Sequence, residues 1–257
     1  MATQAARKPR QALTAERVFY LAMMGAIFAL VVWGFAPTFY LRGFVTPPAS
    51  YIDRPDWMGW AFIAHGLLAT LWLVLFAVQT VLIGRKQLRL HKAIGRSIFP
   101  LYFAIIGLGL LVAFLGARYG FHGVPFDSVT FSALPTLVII VFAVLGWAGL
   151  NERRDPQRHK RLMLLATIAL ADAGVARVTM FHGVLPPWMT ATVLLLIPLL
   201  LWDLATLRGL HRTTVMGGLL VAAALLLSIP IGMSKPWQAA ASTLIGSDGV
   251  PAGQIAN

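Results

Sequence analysis

Long apolar runs alternate with short polar segments along the whole chain. The runs cover residues 18–38, 57–83, 97–117, 129–149, 161–182, 188–207 and 214–233, and those at 97–117 and 214–233 contain no charged residue. A helix needs about 20 apolar residues to cross ~30 Å of hydrocarbon, so each run has the length of a span. Only helices and closed barrels satisfy every backbone group in lipid. These runs are too long and too continuously apolar for barrel strands of roughly ten residues. The pattern predicts an all-α polytopic transmembrane bundle of about seven helices. Three parts follow: a basic N-terminus at 1–17, a membrane domain at 18–233, and a small, polar, Gly/Pro-containing tail at 234–257 that reads as flexible.

Composition sharpens this picture. Hydrophobic residues make up 58% and charged residues 12% of the 257, against about 45–50% and ~25% in soluble domains. A soluble enzyme, a disordered chain and a disulfide scaffold are excluded. There is no cysteine, which removes thiolate metal sites and thiol catalysis. The first run is too long for the apolar region of a signal peptide, so it reads as an uncleaved helix.

The net charge of +12 invites a nucleic-acid reading, but the basic residues sit between membrane runs. With the N-terminus inside, sixteen of the 21 lysines and arginines fall on the cytoplasmic side and four outside, with Arg177 inside the fifth run. Positive loops stay cytoplasmic, so the expected orientation is N-in, C-out. The inner basic clusters also suit anionic lipid.

Two segments resemble each other: FAVQTVLIGRKQLRLHK at 76–92 and FAVLGWAGLNERRDPQRHK at 142–160. The helices that follow end in FHGVP (121–125) and FHGVLP (181–186). A duplicated helical hairpin about an axis along the membrane normal would produce this pattern. It pairs His91 with His159 on the inner side, and His122 with His182 on the outer side.

Polar residues within spans are functional candidates by default. At 1.5 Å per residue, Asp172 lies ~16 Å into the fifth helix, Arg177 ~7 Å from its outer end, and His65 roughly 10 Å from the outer surface. His182 closes the fifth helix on the same side. His65, Asp172, Arg177 and His182 therefore share the outer half, and they form one cluster if the second and fifth helices are neighbours. Transmembrane histidines are the usual axial ligands of b-type haem. His65 with His182 is the leading haem or metal pair, with His122 as another partner for His65, and Arg177 suits a haem propionate. His91 with His159 offers a second, inner pair. Its alternative reading is an interfacial anchor, because each histidine lies in a basic cluster at headgroup level. His65 can equally be a satisfied buried histidine or a proton carrier, and Asp172 with Arg177 can be a structural pairing between helices. His211 reads as interfacial, and Asp203, near the inner end of the sixth helix, as an interfacial acid or part of a proton path.

Three stretches carry a resemblance: WGFAPTFYLR (33–42), HGLLATLWLVLFAVQTVLIGRKQLRLHKAIGR (65–96) and RHKRLMLLATIAL (158–170). They resemble a group of bacterial polytopic inner-membrane proteins, over helices one to five. The resemblance implies a multi-pass protein of the bacterial inner membrane and no particular reaction. A weaker likeness is to transmembrane di-haem cytochrome b proteins, through the paired histidines alone. Three functions are thus in view: a b-type haem or quinone-linked electron-transfer protein, a transporter of a small solute or protons, and an accessory subunit of a larger membrane complex. The chain has no phosphate-binding or metalloprotease motif.

Overall fold

The structure is a computed structural model that describes residues 14–45, 56–121, 124–182 and 188–245. Its helices are α1 (Ala15–Phe35), α2 (Asp56–Gly84), α3 (Leu88–Tyr119), α4 (Ser128–Asn151), α5 (Pro156–His182), α6 (Trp188–Leu194), α7 (Leu196–Leu207), α8 (Arg212–Leu226), α9 (Ser228–Gly232) and α10 (Lys235–Ile245). A π-helical turn, Ala36–Tyr40, extends α1. No strand occurs among the described residues. Five helices are long and apolar enough to cross a membrane, so the chain is a helical, multi-pass membrane bundle.

The last two apolar runs are each broken in two, at Leu195 and at Leu227. Each break lies just ahead of a proline, Pro198 or Pro230. Proline has no N–H and its ring clashes with the carbonyl four residues earlier. Those carbonyls belong to Leu194 and Leu226, the last residues of α6 and α8. Pro100 and Pro135, in contrast, lie inside α3 and α4 without ending them.

Helix α5 is the centre of the bundle. It packs on α1, α4, α6 and α8, and its apolar window is 78% buried, against 22–56% in the other four long spans. The remaining long helices run round it in chain order, α1 on α2, α2 on α3 and α3 on α4. Small residues set the closest approach. A Cβ on Gly34 of α1 would stand 1.9 Å from the Gly174 carbonyl oxygen of α5. Membrane helices use such glycines to bring backbones together where no hydrophobic effect drives association. The antiparallel order gathers the start of α1 and the α2–α3, α4–α5 and α7–α8 turns at one end, called here the basic end.

The tail departs from expectation over 235–245. Instead of a flexible segment, Lys235–Ile245 forms α10. Ala241 and Ile245 pack with Ala117, one helical turn apart on one face. Trp237 Nε1 donates to the Val129 carbonyl at 3.0 Å, and Gln238 Nε2 donates to the Gly232 carbonyl at 2.7 Å. Residues 246–257 and 1–13 lie outside the described residues.

Candidate functional site

The outer cluster is dispersed in part. His65 on α2 turns towards α3, where its Cε1 would lie 3.5 Å from a Cβ on Gly109. Its Nδ1 is buried without a hydrogen-bond partner. His182 ends α5, but its side chain lies outside the described residues, as does His122. Asp172 and Arg177 address different neighbours. The Asp172 carboxylate is buried and accepts from Thr192 Oγ1 on α6 at 2.6 Å. The Arg177 guanidinium lies 4.4 Å over the Phe35 ring of α1 and donates to the Ala173 carbonyl at 2.7 Å. The five-residue step between Asp172 and Arg177 places them about 140° apart round the helix, so this divergence follows from the helical period.

The inner pair is brought together. His91 stands in the first turn of α3 and His159 in the first turn of α5, and their ring centroids are 6.4 Å apart with planes at 89°. The equivalence suggested by the internal likeness thus corresponds to a contact in space. His159 Nδ1 is 2.7 Å from the Gly149 carbonyl oxygen. A carbonyl can only accept, so Nδ1 is the donor, and Nε2 is the nitrogen left free of this bond. His91 Nδ1 is buried without a partner.

Both histidines line a cavity of about 180 Å³ between α1, α2, α3 and α5. Its walls are mainly apolar, with Trp72, Phe76, Ile98 and Met163, and Gly95 stands one turn along α3 from His91. Three residues of its lining, Tyr20, Gln79 and His91, each carry a buried polar atom (Oη, Oε1 and Nδ1) without a partner. Buried polar atoms are nearly always bonded, so these three set the cavity's surroundings apart from a satisfied core. At the mouth, Glu16 of α1 pairs with Lys160 of α5, and Lys160 lies 5.2 Å over the Tyr20 ring. Arg17 also lines the cavity and reaches the Gly84 carbonyl at 3.5 Å.

A second polar centre at the same end joins Arg161 to Asp203, a pairing that the sequence did not indicate. Arg161, next to Lys160, is 1% exposed, and Asp203 of α7 is fully buried. Arg161 Nε and Nη2 donate to Asp203 Oδ1 at 3.2 and 2.5 Å. Asp203 Oδ2 accepts from Thr214 Oγ1 at 2.5 Å and from the His211 backbone N–H at 3.2 Å. Arg161 Nη1 donates to the Gln157 side-chain oxygen at 2.7 Å. Asp203 is therefore not an interfacial residue, and His211 does more than face water. Its Nδ1 accepts from the Thr213 N–H at 3.1 Å and caps α8. Burial, with Arg161 beside it, holds the His211 imidazole below its ordinary pKa, against the opposing pull of Asp203. The only sequence sign of this centre was an acid, Asp203, on an otherwise apolar helix.

Among the described residues, no group of three or more histidine or carboxylate side chains could hold a metal ion. Comparisons with protein-family models, curated proteins and solved structures return no match. The geometry of the bundle therefore carries the functional argument alone.

Proposed function

We propose that this protein is a membrane electron carrier whose His91 and His159, at the basic end, would hold haem b. The observation that carries the reading is the ring geometry of that pair beside an apolar cavity. The ring centroids are 6.4 Å apart and a metal–imidazole bond is about 2.0–2.1 Å, so one iron ion would be within reach of both rings.

The surroundings fit the group. Pinning Nδ1–H of a histidine on a carbonyl is the usual way to present Nε2 to a metal, and His159 is held so by Gly149. The apolar wall of Trp72, Phe76, Ile98 and Met163 suits a macrocycle and lowers the local dielectric, a known lever on haem potential. Bound haem supplies a one-electron ferric–ferrous change. The chain's own residues pin the His159 ring through Gly149, line the cavity with apolar side chains and set the charge at its mouth.

The wider setting belongs to the same proposal. The bundle makes seven crossings, with the proline-kinked α6–α7 and α8–α9 as the last two. It lies N-in, C-out in a bacterial inner membrane, so the cavity opens towards the cytoplasm. The surrounding basic turns meet anionic lipid. His65 and His182 become the weaker pair, because His65 reaches towards Gly109 of α3.

A dithionite-reduced minus oxidised spectrum of the purified protein tests the assignment. Soret and α bands are expected, lost in His91→Ala and in His159→Ala and kept in His65→Ala. Full haem in both inner variants, or a flat spectrum from cells supplied with haem precursor, would overturn it.

One feature favours a transporter as the second reading. Asp172 is buried and bonded to Thr192 on α6, a helix interrupted at Leu195, and interrupted helices build many transport sites. Asp172→Asn would then abolish proton or solute flux into liposomes while the haem spectrum stayed intact.

A further inference from the structure

The mouth of the cavity holds an internal carboxylate next to two cations. Glu16 Oε1 is engaged by Lys160 and, at 3.5 Å, by Gln157 Nε2, and Arg17 lines the same cavity. Lys160 projects from α5 one residue beyond His159, so the ion pair and the ligand pair are held by the same turn. Glu16 and Lys160 stand at the half-buried surface of the bundle, with side chains 45% and 20% exposed. Half-exposed pairs of this kind contribute little to stability. An exchange of partners at Lys160 is therefore within easy energetic reach.

We propose that Lys160, with Arg17, is a clamp for a carboxylate carried by the cavity's ligand, and that Glu16 is the placeholder which that carboxylate displaces. The inference rests on the haem reading, since haem b bears two propionates on one edge of an otherwise apolar disc. It adds a direction: the carboxylate edge faces the basic end, and the apolar edge lies inward against Trp72 and Phe76. No covalent or redox step is involved. One ion pair, Glu16–Lys160, is traded for another between Lys160 and the ligand, and Glu16 turns to solvent.

The two partners of the internal pair then act in opposite senses. If the pair were merely structural, losing either partner would have the same sign. Haem-free protein is titrated with ferric haem and with haem dimethyl ester, in which both propionates are masked, and binding is followed by the Soret band. Wild type should prefer haem to the ester. Lys160→Gln should weaken haem binding by about tenfold, the value of one charge-assisted contact, and leave ester binding unchanged. Glu16→Gln should tighten haem binding severalfold and leave the ester unchanged. Lys160→Arg, which keeps the charge and the fold, should retain the preference. Equal affinities of wild type for haem and ester overturn the clamp while leaving the histidine assignment standing. So does a loss of affinity of the same size and sign in Glu16→Gln and Lys160→Gln. Binding of neither porphyrin by folded wild type overturns the haem reading and the clamp together.

Discussion

Two polar centres share the basic end of the bundle, and neighbouring residues of α5 face them: His159 and Lys160 turn to the cavity, Arg161 to Asp203. Successive helical residues are about 100° apart, so one turn of α5 serves both. The Arg161–Asp203 centre is sealed. Both Asp203 oxygens are engaged, with donors from Arg161, Thr214 and the His211 backbone. The cavity centre is open and incomplete, and Tyr20, Gln79 and His91 each leave a buried polar atom without a partner. Low dielectric strengthens a satisfied network and penalises an unsatisfied one. The sealed centre has the form of a structural pin between α5, α7 and α8. The open centre retains a polar deficit. Polarity inside a membrane protein is thus a poor guide to function until its bonding is counted.

The largest effect should come from breaking the seal. Arg161→Ala or Asp203→Ala leaves a buried charge uncompensated, and such losses cost about 3–5 kcal/mol. The double replacement Arg161→Met with Asp203→Leu removes both charges and should recover most of that loss, since apolar isosteres of a buried pair are often neutral or stabilising. Thermal unfolding in detergent measures both. His159→Ala, two residues away, should lose only about 1 kcal/mol, the value of its bond to Gly149, while on the haem proposal it should abolish haem binding. A loss in His159→Ala as large as in Asp203→Ala would erase the distinction between the two centres.

The helical membrane architecture was legible because apolar length is a sufficient signal for a span. The breaks at Leu195 and Leu227 were written in Pro198 and Pro230, but a hydropathy window averages over a proline. The α10 helix escaped because a short amphipathic segment with Trp237, Ala241 and Ile245 reads as polar on average. For the candidate site, the internal likeness between residues 76–92 and 142–160 held the one useful long-range clue, since it pairs His91 with His159. Depth alone pointed to His65 and His182 and carried no information on which helix faces which. Arg161 stayed hidden inside a run of basic residues, Arg158–Arg161, where sequence cannot separate a solvated cation from a buried one. Only the neighbour on α7 decides that.

An intermediate effect is expected where α1, the wall that carries Glu16, Arg17 and Tyr20, is fixed against α5. Gly34→Ala forces a Cβ to within 1.9 Å of the Gly174 carbonyl oxygen, so the two backbones must separate. Overpacking of this kind costs about 1–3 kcal/mol. Because α1 also closes the cavity, the same substitution should weaken haem binding while the Arg161–Asp203 pair, on the other side of α5, keeps its full effect in the double variant. Gly107→Ala is the control, as a Cβ there meets nothing within 4 Å. Equal behaviour of the two alanine variants would show that α1 is free to slide on α5, and with it the cavity wall.

The smallest expected effect is a pH dependence confined to the sealed centre. His211 accepts the Thr213 N–H through Nδ1, which requires the neutral ring. Burial and the nearby Arg161 hold its pKa below the usual 6.5. On acidification the unfolded chain therefore binds a proton before the folded one does, and stability falls. The contribution is full above the unfolded value and is lost as pH drops through the folded value. Its size should be about 1 kcal/mol, that of a helix cap. His211→Asn keeps a cap-competent side chain without a titrating ring, so its unfolding temperature should stay flat between about pH 7.5 and about pH 5.5, where the wild type declines. Haem affinity of His211→Asn should match wild type throughout, because the cap belongs to the sealed centre and not to the cavity. A parallel decline in both proteins would place the pH sensitivity in another histidine, with His91 beside the cavity as the next group to test.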